Sequence, residues 1–237
     1  MHLSIVIPFY NEEDTVTLVL QKLDEVEWPS FIEKREYICI DDSSTDEGYK
    51  KVIDFASGKD HIKVFQLSQN SGKGAAVKYG FSKATGDVLL IQDADLELSP
   101  RDIPLMLETM VNLNIGFVNG SRYLPGPIRP LSSYRRYWFN KLFTSITSIL
   151  INVKISDVAC GYKLIKRSLY EEITLKEKRF GVEVELLIKA IRIKKNNVAE
   201  VPVNYFPRNK GEGKKIRNID GFRILKALFL YGALRIK

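Results

Sequence analysis

Apolar positions along this chain follow two rhythms in turn. Residues 3–7, 37–40, 62–67 and 88–91 are short β-rich runs without a polar face and read as strands. Val16, Val19, Leu20 and Leu23 recur instead at helical spacing, with Asn11 placed to cap that helix and Glu12, Glu13 and Asp14 to fill an acidic first turn. Helical patterns also occupy residues 47–56 and 74–84. Strands that are apolar on both faces and separated by helices predict a mostly parallel sheet covered on both sides. In such sheets ligands bind beyond the carboxyl ends of the strands.

The second half is less regular. Residues 115–119 predict one more strand, and Pro125, Gly126, Pro127 and Pro130 mark a long loop. Trp138, Leu142, Ile146, Ile149 and Val153 then fall at helical spacing, with Phe139, Phe143 and Leu150 widening the stripe. A helix over 183–195, a strand over 198–205, a basic loop and a final helix from about 220 complete the pattern. No internal repeat, low-complexity tract or linker divides the chain, so residues 1–237 are expected to form a single domain.

The residues just past the predicted strands carry the chemistry. Pro8-Phe9-Tyr10-Asn11-Glu12 follows the first strand, Asp41-Asp42-Ser43-Ser44-Thr45-Asp46 the second and Asp93-Ala94-Asp95-Leu96-Glu97 the fourth. Carboxylates gathered on one rim need a compensating cation or hydrogen-bond donors. In an extended turn Asp93 and Asp95 both reach one ion, and hard oxygen ligands select Mg²⁺ or Mn²⁺. Asp41 and Asp42 suit ribose hydroxyls or a base edge, although capping of the next helix fits the same residues. Asn70-Ser71-Gly72-Lys73-Gly74 opens a helix after the third strand. Its glycines would let backbone amides approach a phosphate, with Lys73 adding charge. It is not a P-loop, which needs Gly in place of Leu67 and Ser or Thr in place of Gly74.

Composition narrows the partners. The 237 residues carry a formal net charge of +7, which suits an anionic partner such as nucleic acid, an acidic lipid surface or a phosphorylated small molecule. Two histidines, His2 and His61, without ligand spacing argue against zinc. Cys39 and Cys160 have no pairing pattern; Cys39 sits in an apolar run and reads as a buried thiol, which fits a reducing, cytoplasmic compartment. The start of the chain lacks a signal-peptide core, and its apolar stretch over 227–234 is far short of the roughly 20 residues of a spanning helix. No transmembrane helix is expected, but peripheral contact is: Arg135, Arg136 and Lys141 flank the apolar stripe, and Lys210, Lys214, Lys215 and Arg217 precede an apolar helix with Phe222, Leu225, Leu228 and Phe229.

Taken in order and spacing, the segments 8–12, 41–46, 70–76 and 93–95 resemble family 2 glycosyltransferases. Gly120-Ser121-Arg122-Tyr123, Asp157-Val158-Ala159-Cys160-Gly161-Tyr162-Lys163 and the stretch 208–215 narrow the likeness to the dolichyl- or polyprenyl-phosphate mannosyl- and glucosyltransferases, over nearly the whole chain. The resemblance implies an α/β fold of the GT-A type, Rossmann-like, with a nucleotide-sugar half (1–120) and an acceptor-side half with amphipathic helices (121–237). It implies an inverting, metal-dependent hexose transfer from a GDP- or UDP-linked sugar to a lipid phosphate. Donor contacts are implied for Pro8, Tyr10, Glu12, Cys39, Asp41, Lys73, Asp93, Ala94, Asp95 and Lys214. Metal contacts fall to Asp93, Asp95 and Glu97, and phosphate contacts to Arg122, Arg208 and Lys214.

A lipid phosphate is anionic at neutral pH and needs cations rather than a base; Arg122, Arg135, Arg136 and Arg208 are the candidates, because Arg matches phosphate geometry with paired donors. A hydroxyl acceptor needs a carboxylate to take its proton, for which Asp157 and Glu183 are the candidates. Three rivals remain: a family 2 enzyme acting on a polysaccharide or other hydroxyl, a nucleotidyltransferase, and a non-catalytic basic module. Tyr10-Asn11-Glu12 stands where a nucleotidyltransferase carries a glycine-rich basic loop, and a basic module leaves the acidic rim unexplained. Nucleic acid is not an expected partner.

Overall fold

The computed structural model describes residues 1–125, 133–193, 197–208 and 225–234. Seven strands form one sheet in the order β3-β2-β1-β4-β6-β5-β7. They are β1 (His2–Phe9), β2 (Lys34–Asp41), β3 (Ile62–Gln66), β4 (Val88–Ile91), β5 (Phe117–Ser121), β6 (Lys163–Lys166) and β7 (Val198–Pro202). All neighbours run parallel except β6, which is antiparallel to both β4 and β5. The carboxyl ends of the six codirectional strands therefore share one rim with the amino end of β6. Phe9 lies opposite Asp41, and Lys163 opposite Asn119, which puts the segments after β1, β2 and β5 and before β6 side by side.

The helices are α1 (Val16–Asp24), α2 (Gly48–Ala56), α3 (Lys73–Lys83), α4 (Ile103–Asn112), α5 (Tyr134–Ile151), α6 (Arg167–Tyr170) and α7 (Val182–Ile193). Side chains alternate across a strand, so β1 sends Leu3, Ile5 and Ile7 to one face and Val6 to the other. The first face packs on α1, α2 and α4 through Val16, Leu20, Val52, Met106 and Leu107. The second packs on α3 and α7 through Val77, Phe81, Leu186 and Ile188. Each fully buried Leu, Ile, Val or Phe contributes about 1.5–3 kcal/mol.

Several boundaries differ from those the periodicity predicts. Helix α1 starts at Val16, not after Asn11. Asn11 adopts a left-handed φ of 50°, and its side-chain carbonyl accepts from the Thr45 amide, so it ties two rim loops instead of capping α1. The fifth strand is displaced to Phe117–Ser121, behind the left-handed Asn114. The last strand stops at Pro202, with only a bridge between Leu98 and Tyr205 beyond it. Strand β6 and helices α4 and α6 are further elements, absent from the predicted pattern. The expected final helix is seen as a helical segment over 225–233; its start and the loop bearing Lys210, Lys214, Lys215 and Arg217 lie outside the described residues. Among the described residues no helix is long and apolar enough to cross a membrane.

Candidate active site

The rim after β1 and β2 is built by carboxylates closing their own loops. Asp41 is fully buried; it accepts from the Ser44 amide at 3.0 Å, the Ser44 hydroxyl at 2.5 Å and Gln66 Nε2 at 2.8 Å. Asp42 accepts from the amides of Ser71 (2.7 Å) and Gly72 (2.8 Å). Burial pushes the Asp42 carboxyl up, and those two amides oppose the shift. Glu12, on the turn after β1, accepts from Arg208 Nη1 and Nη2, each at 2.9 Å, and from Thr15 Oγ1. Pro8 is buried at the end of β1 and Tyr10 half-buried just past it. Cys39 differs from its expected donor contact: its side chain is buried among α1 and α2, and burial pushes the thiol up to about 12.

The glycine-rich turn before α3 also departs from the phosphate-cradle reading. A Cβ on Gly72 would strike Arg179 Cγ and the Lys178 carbonyl at 2.6 Å, and one on Gly74 the Glu177 carbonyl at 2.5 Å. These glycines admit the chain's own 177–179 loop. The amides of Ser71 and Gly72 donate to Asp42, and that of Ala75 to the Lys178 carbonyl at 3.0 Å.

Lys73, at the start of α3, turns to the acidic turn after β4. Its ammonium lies 2.5 Å from Asp93 Oδ1 and bridges to Glu183 Oε1. Glu183 opens α7, where an acidic side chain ordinarily faces solvent, yet it is only 5% exposed. Glu185 is likewise buried, accepting from the amides of Lys176 and Glu177 and from Lys189 Nζ at 2.7 Å. Gly161 makes room for Asp93: a Cβ there would collide with Asp93 Oδ2. Ala94 is buried beside it.

Asp95 accepts the Glu97 amide at 3.0 Å. Burial, then the charges of Asp93 and Glu97, raise its carboxyl to about 7. Glu97 faces Tyr205 and Arg208: its carboxylate accepts the Tyr205 hydroxyl at 3.1 Å and the Arg208 amide at 3.0 Å. The third metal contact expected of Glu97 is therefore engaged elsewhere, and among the described residues no three acidic, histidine or cysteine side chains stand together as a ready cage. Arg208 Nε donates to the Asp95 carbonyl at 2.6 Å, so this one side chain spans the rim from the β1 turn to the β4 turn. Lys214 lies outside the described residues.

Asp157 is placed differently from a base. It is fully buried and bound by Arg122 in a fork, Nε to Oδ2 at 2.7 Å and Nη2 to Oδ1 at 2.8 Å. Asn140 Nδ2 at 2.9 Å and the amides of Arg122 and Ala159 complete the shell. Burial alone would raise its carboxyl; Arg122 and Asn140 more than reverse this and hold it at about 2. Asp157 thus orients Arg122, whose guanidinium also lies over the rings of Tyr205 (5.2 Å) and Tyr123 (5.7 Å). Behind it, Glu200 accepts from Asn119 Nδ2 and the Ser156 amide. Asn140, Tyr205, Glu200 and Gly161 escaped sequence reasoning as site residues. Gly161 alone had a signal, inside the segment 157–163.

Helix α5 begins beside Arg122, where Tyr123 meets Tyr137 at 5.4 Å and Lys141 lies over the Tyr123 ring. Its outer face leaves Tyr134, Trp138, Phe139 and Leu142 exposed around a groove of about 500 Å³ that Arg135 and Lys141 also line, with Ile149 exposed further along the helix. The segment over 225–234 packs against α5 and adds exposed Leu225, Phe229 and Leu234.

Residues 4–174 match the sequence profile of Glycosyl transferase family 2. A dolichol-phosphate mannosyltransferase of Pyrococcus furiosus is 29% identical over 222 residues, 90% of this chain and 59% of that protein. A polyprenol monophosphomannose synthase of Mycolicibacterium smegmatis is 27% identical over 95% of this chain and 83% of that one. The chain thus spans little more than half the length of the Pyrococcus relative. Among solved structures, glucosyl-3-phosphoglycerate synthase from Mycobacterium tuberculosis, in complex with Mn²⁺, UDP and glucosyl-3-phosphoglycerate, superposes with a TM-score of 0.74 at 19% identity, covering 98% of this chain and 80% of that one. That likeness shows the expected GT-A type of α/β fold.

Proposed function

The chain belongs to glycosyl transferase family 2, and from that membership we propose that this glycosyltransferase moves a hexose, with inversion, from a GDP- or UDP-linked sugar to a polyprenyl phosphate. The observation that carries the choice of acceptor is the engagement of both carboxylates considered as bases. Asp157 is bound by Arg122, and Glu183 shares the Lys73 ammonium. A hydroxyl acceptor needs a base, whereas a phosphate brings its own negative charge. The names of two relatives, a dolichol-phosphate mannosyltransferase and a polyprenol monophosphomannose synthase, support the same acceptor class.

Residues 1–120 form the donor side in this reading and 121–237 the acceptor side. Pro8, Tyr10, Glu12 and Asp41 border the nucleoside, and Glu12 exchanges its Arg208 contact for the donor. Asp93 and Asp95 fit a Mg²⁺ or Mn²⁺ ion: both are hard oxygen donors on the turn after β4, and burial, then the charges of Asp93 and Glu97, raise the Asp95 carboxyl. When bound, the ion offsets the charge that develops on the diphosphate as the sugar–oxygen bond breaks. Arg122, locked by Asp157 through Nε and Nη2, keeps Nη1 for a phosphate oxygen and needs no reorganisation to present it. Arg208 and Lys214 supply further charge toward donor or acceptor phosphate.

The exposed face of α5 starts at this phosphate site and offers an apolar track with basic flanks to a lipid surface, so the enzyme works as a peripheral membrane protein. The test supplies GDP- and UDP-sugars with Mn²⁺ to polyprenyl phosphate and to the corresponding polyprenol. Transfer to the phosphate with inverted anomeric configuration is expected. Transfer to the free alcohol, with none to the phosphate, refutes the acceptor assignment.

A further inference from the structure

Lys73 sits where three elements of the rim meet. Its ammonium joins the start of α3 to Asp93 on the turn after β4, at 2.5 Å, and to Glu183 at the start of α7. The three side chains are largely shielded, at 14%, 22% and 7% exposure for Lys73, Asp93 and Glu183. Asp93 has little room to turn away, because its other oxygen abuts Gly161. Burial opposes the charge on Lys73, yet Asp93 and Glu183 more than restore it, so the ammonium is held well above the ordinary lysine range. The charge next to Asp93 is thus part of the chain itself.

We infer that Lys73 is the resident counter-cation of the acidic turn: it holds Asp93 and Glu183 in place before a divalent ion arrives and competes with that ion for Asp93. The inference rests on the metal reading proposed above and assigns a positioning residue to it. A lysine suits the role because its compact charge rides on a flexible four-carbon stem. When an ion takes Asp93, the ammonium retreats onto Glu183, which serves as its second resting place. Lys73 and Glu183 then act on metal affinity with opposite signs, whereas two merely structural residues would act with the same sign.

The experiment measures Mn²⁺ binding to the full chain by titration calorimetry and by the paramagnetic resonance signal of free Mn²⁺, with and without GDP or UDP. Lys73→Met removes the competitor, and Mn²⁺ without nucleotide is expected to bind at least about tenfold tighter, the scale of losing one unit charge beside the site. Glu183→Gln removes the resting place, and binding is expected to weaken by at least about fivefold. Lys73→Arg, which keeps the charge, is expected to stay close to the parent. Folded Lys73→Met with unchanged or weaker Mn²⁺ binding overturns the inference. Should Lys73→Met not fold, Glu183→Gln decides, and unchanged or tighter binding there overturns it. Failure of the parent chain to bind Mn²⁺ even with nucleotide sinks the metal reading and this inference together. Binding with the wrong pair of signs sinks only the role of Lys73.

Discussion

Asp157→Asn tests whether that carboxylate is a scaffold or a base. The change keeps the side chain's shape and deletes one charge at a site with no exposure. Five hydrogen bonds converge there: two from the Arg122 guanidinium, one from Asn140 and two from the amides of Arg122 and Ala159. Removing one partner of a buried ion pair leaves the other uncompensated and costs about 3–5 kcal/mol, a large part of the 5–15 kcal/mol that typically holds a domain folded. The pH dependence gives a second handle. The folded carboxyl lies at about 2 against 3.8 unperturbed. A depressed folded value means that the stabilisation is fully present above the unfolded pKa and is lost as pH falls from about 4 to about 2. At 1.36 kcal/mol per pKa unit this is about 2 kcal/mol. Urea unfolding followed by circular dichroism, at pH 7 and at steps down to pH 3, measures both. Asp157→Asn is expected to be less stable at pH 7, with the gap to the parent narrowing in acid. Arg122→Met in the same chain should recover part of the loss, because the two residues act as a pair. Glu36, buried and held at about 2 by Lys63, Ser4 and Thr85 against its own burial, adds acid lability of the same sign, which the comparison with Asp157→Asn cancels. An Asp157→Asn variant as stable as the parent, but with the acid-side pH dependence of kcat abolished, would refute the scaffold reasoning and restore the base.

Asp95→Asn is expected to raise the melting temperature at pH 8 without metal, since it removes a carboxylate whose ionisation the fold resists up to about 7, and to abolish Mn²⁺-dependent nucleotide binding; a thermal-shift series with and without Mn²⁺ and nucleotide reads both. Gly161→Ala drives a methyl group into Asp93, so calorimetric Mn²⁺ affinity should fall at least about tenfold while circular dichroism stays that of a folded chain. Trp138→Glu with Phe139→Glu places charge on the exposed face of α5; vesicle co-sedimentation should drop several-fold and nucleotide affinity stay unchanged, because neither side chain supports the sheet.

Much of the fold is legible in the residues alone because its signals are local. The runs ending at Ile7, Ile40, Leu67 and Ile91 lack a polar face, which only a doubly covered strand tolerates, and β1 to β4 follow from them. The acidic turns after β1, β2 and β4 fall on one rim by the rule that parallel strands present their carboxyl ends together. Strand β6 gives no such signal: Leu164 and Ile165 are two apolar residues between Lys163 and Lys166, and its antiparallel place between β4 and β5 depends on partners far along the chain. Helix α4 did carry one, since Ile103, Met106, Leu107 and Met110 are spaced for a single face.

Charge pairing lies beyond the sequence altogether. Glu183 and Glu185 look like an ordinary acidic first turn of α7, and Gly72 and Gly74 like a phosphate loop. Lys73 and the amides of 176 and 177 bury the first pair, and the loop 177–179 fills the second. Arg122 and Asp157 stand 35 residues apart, Glu12 and Arg208 196 apart, and no local pattern links either pair. The chain by itself therefore fixes which residues reach the rim, because hydrophobic periodicity sets strand and turn positions. Only the tertiary structure decides which carboxylate meets a cation, an amide or open space. Burial magnifies electrostatics through desolvation, and burial is a property of the assembled layers rather than of any segment.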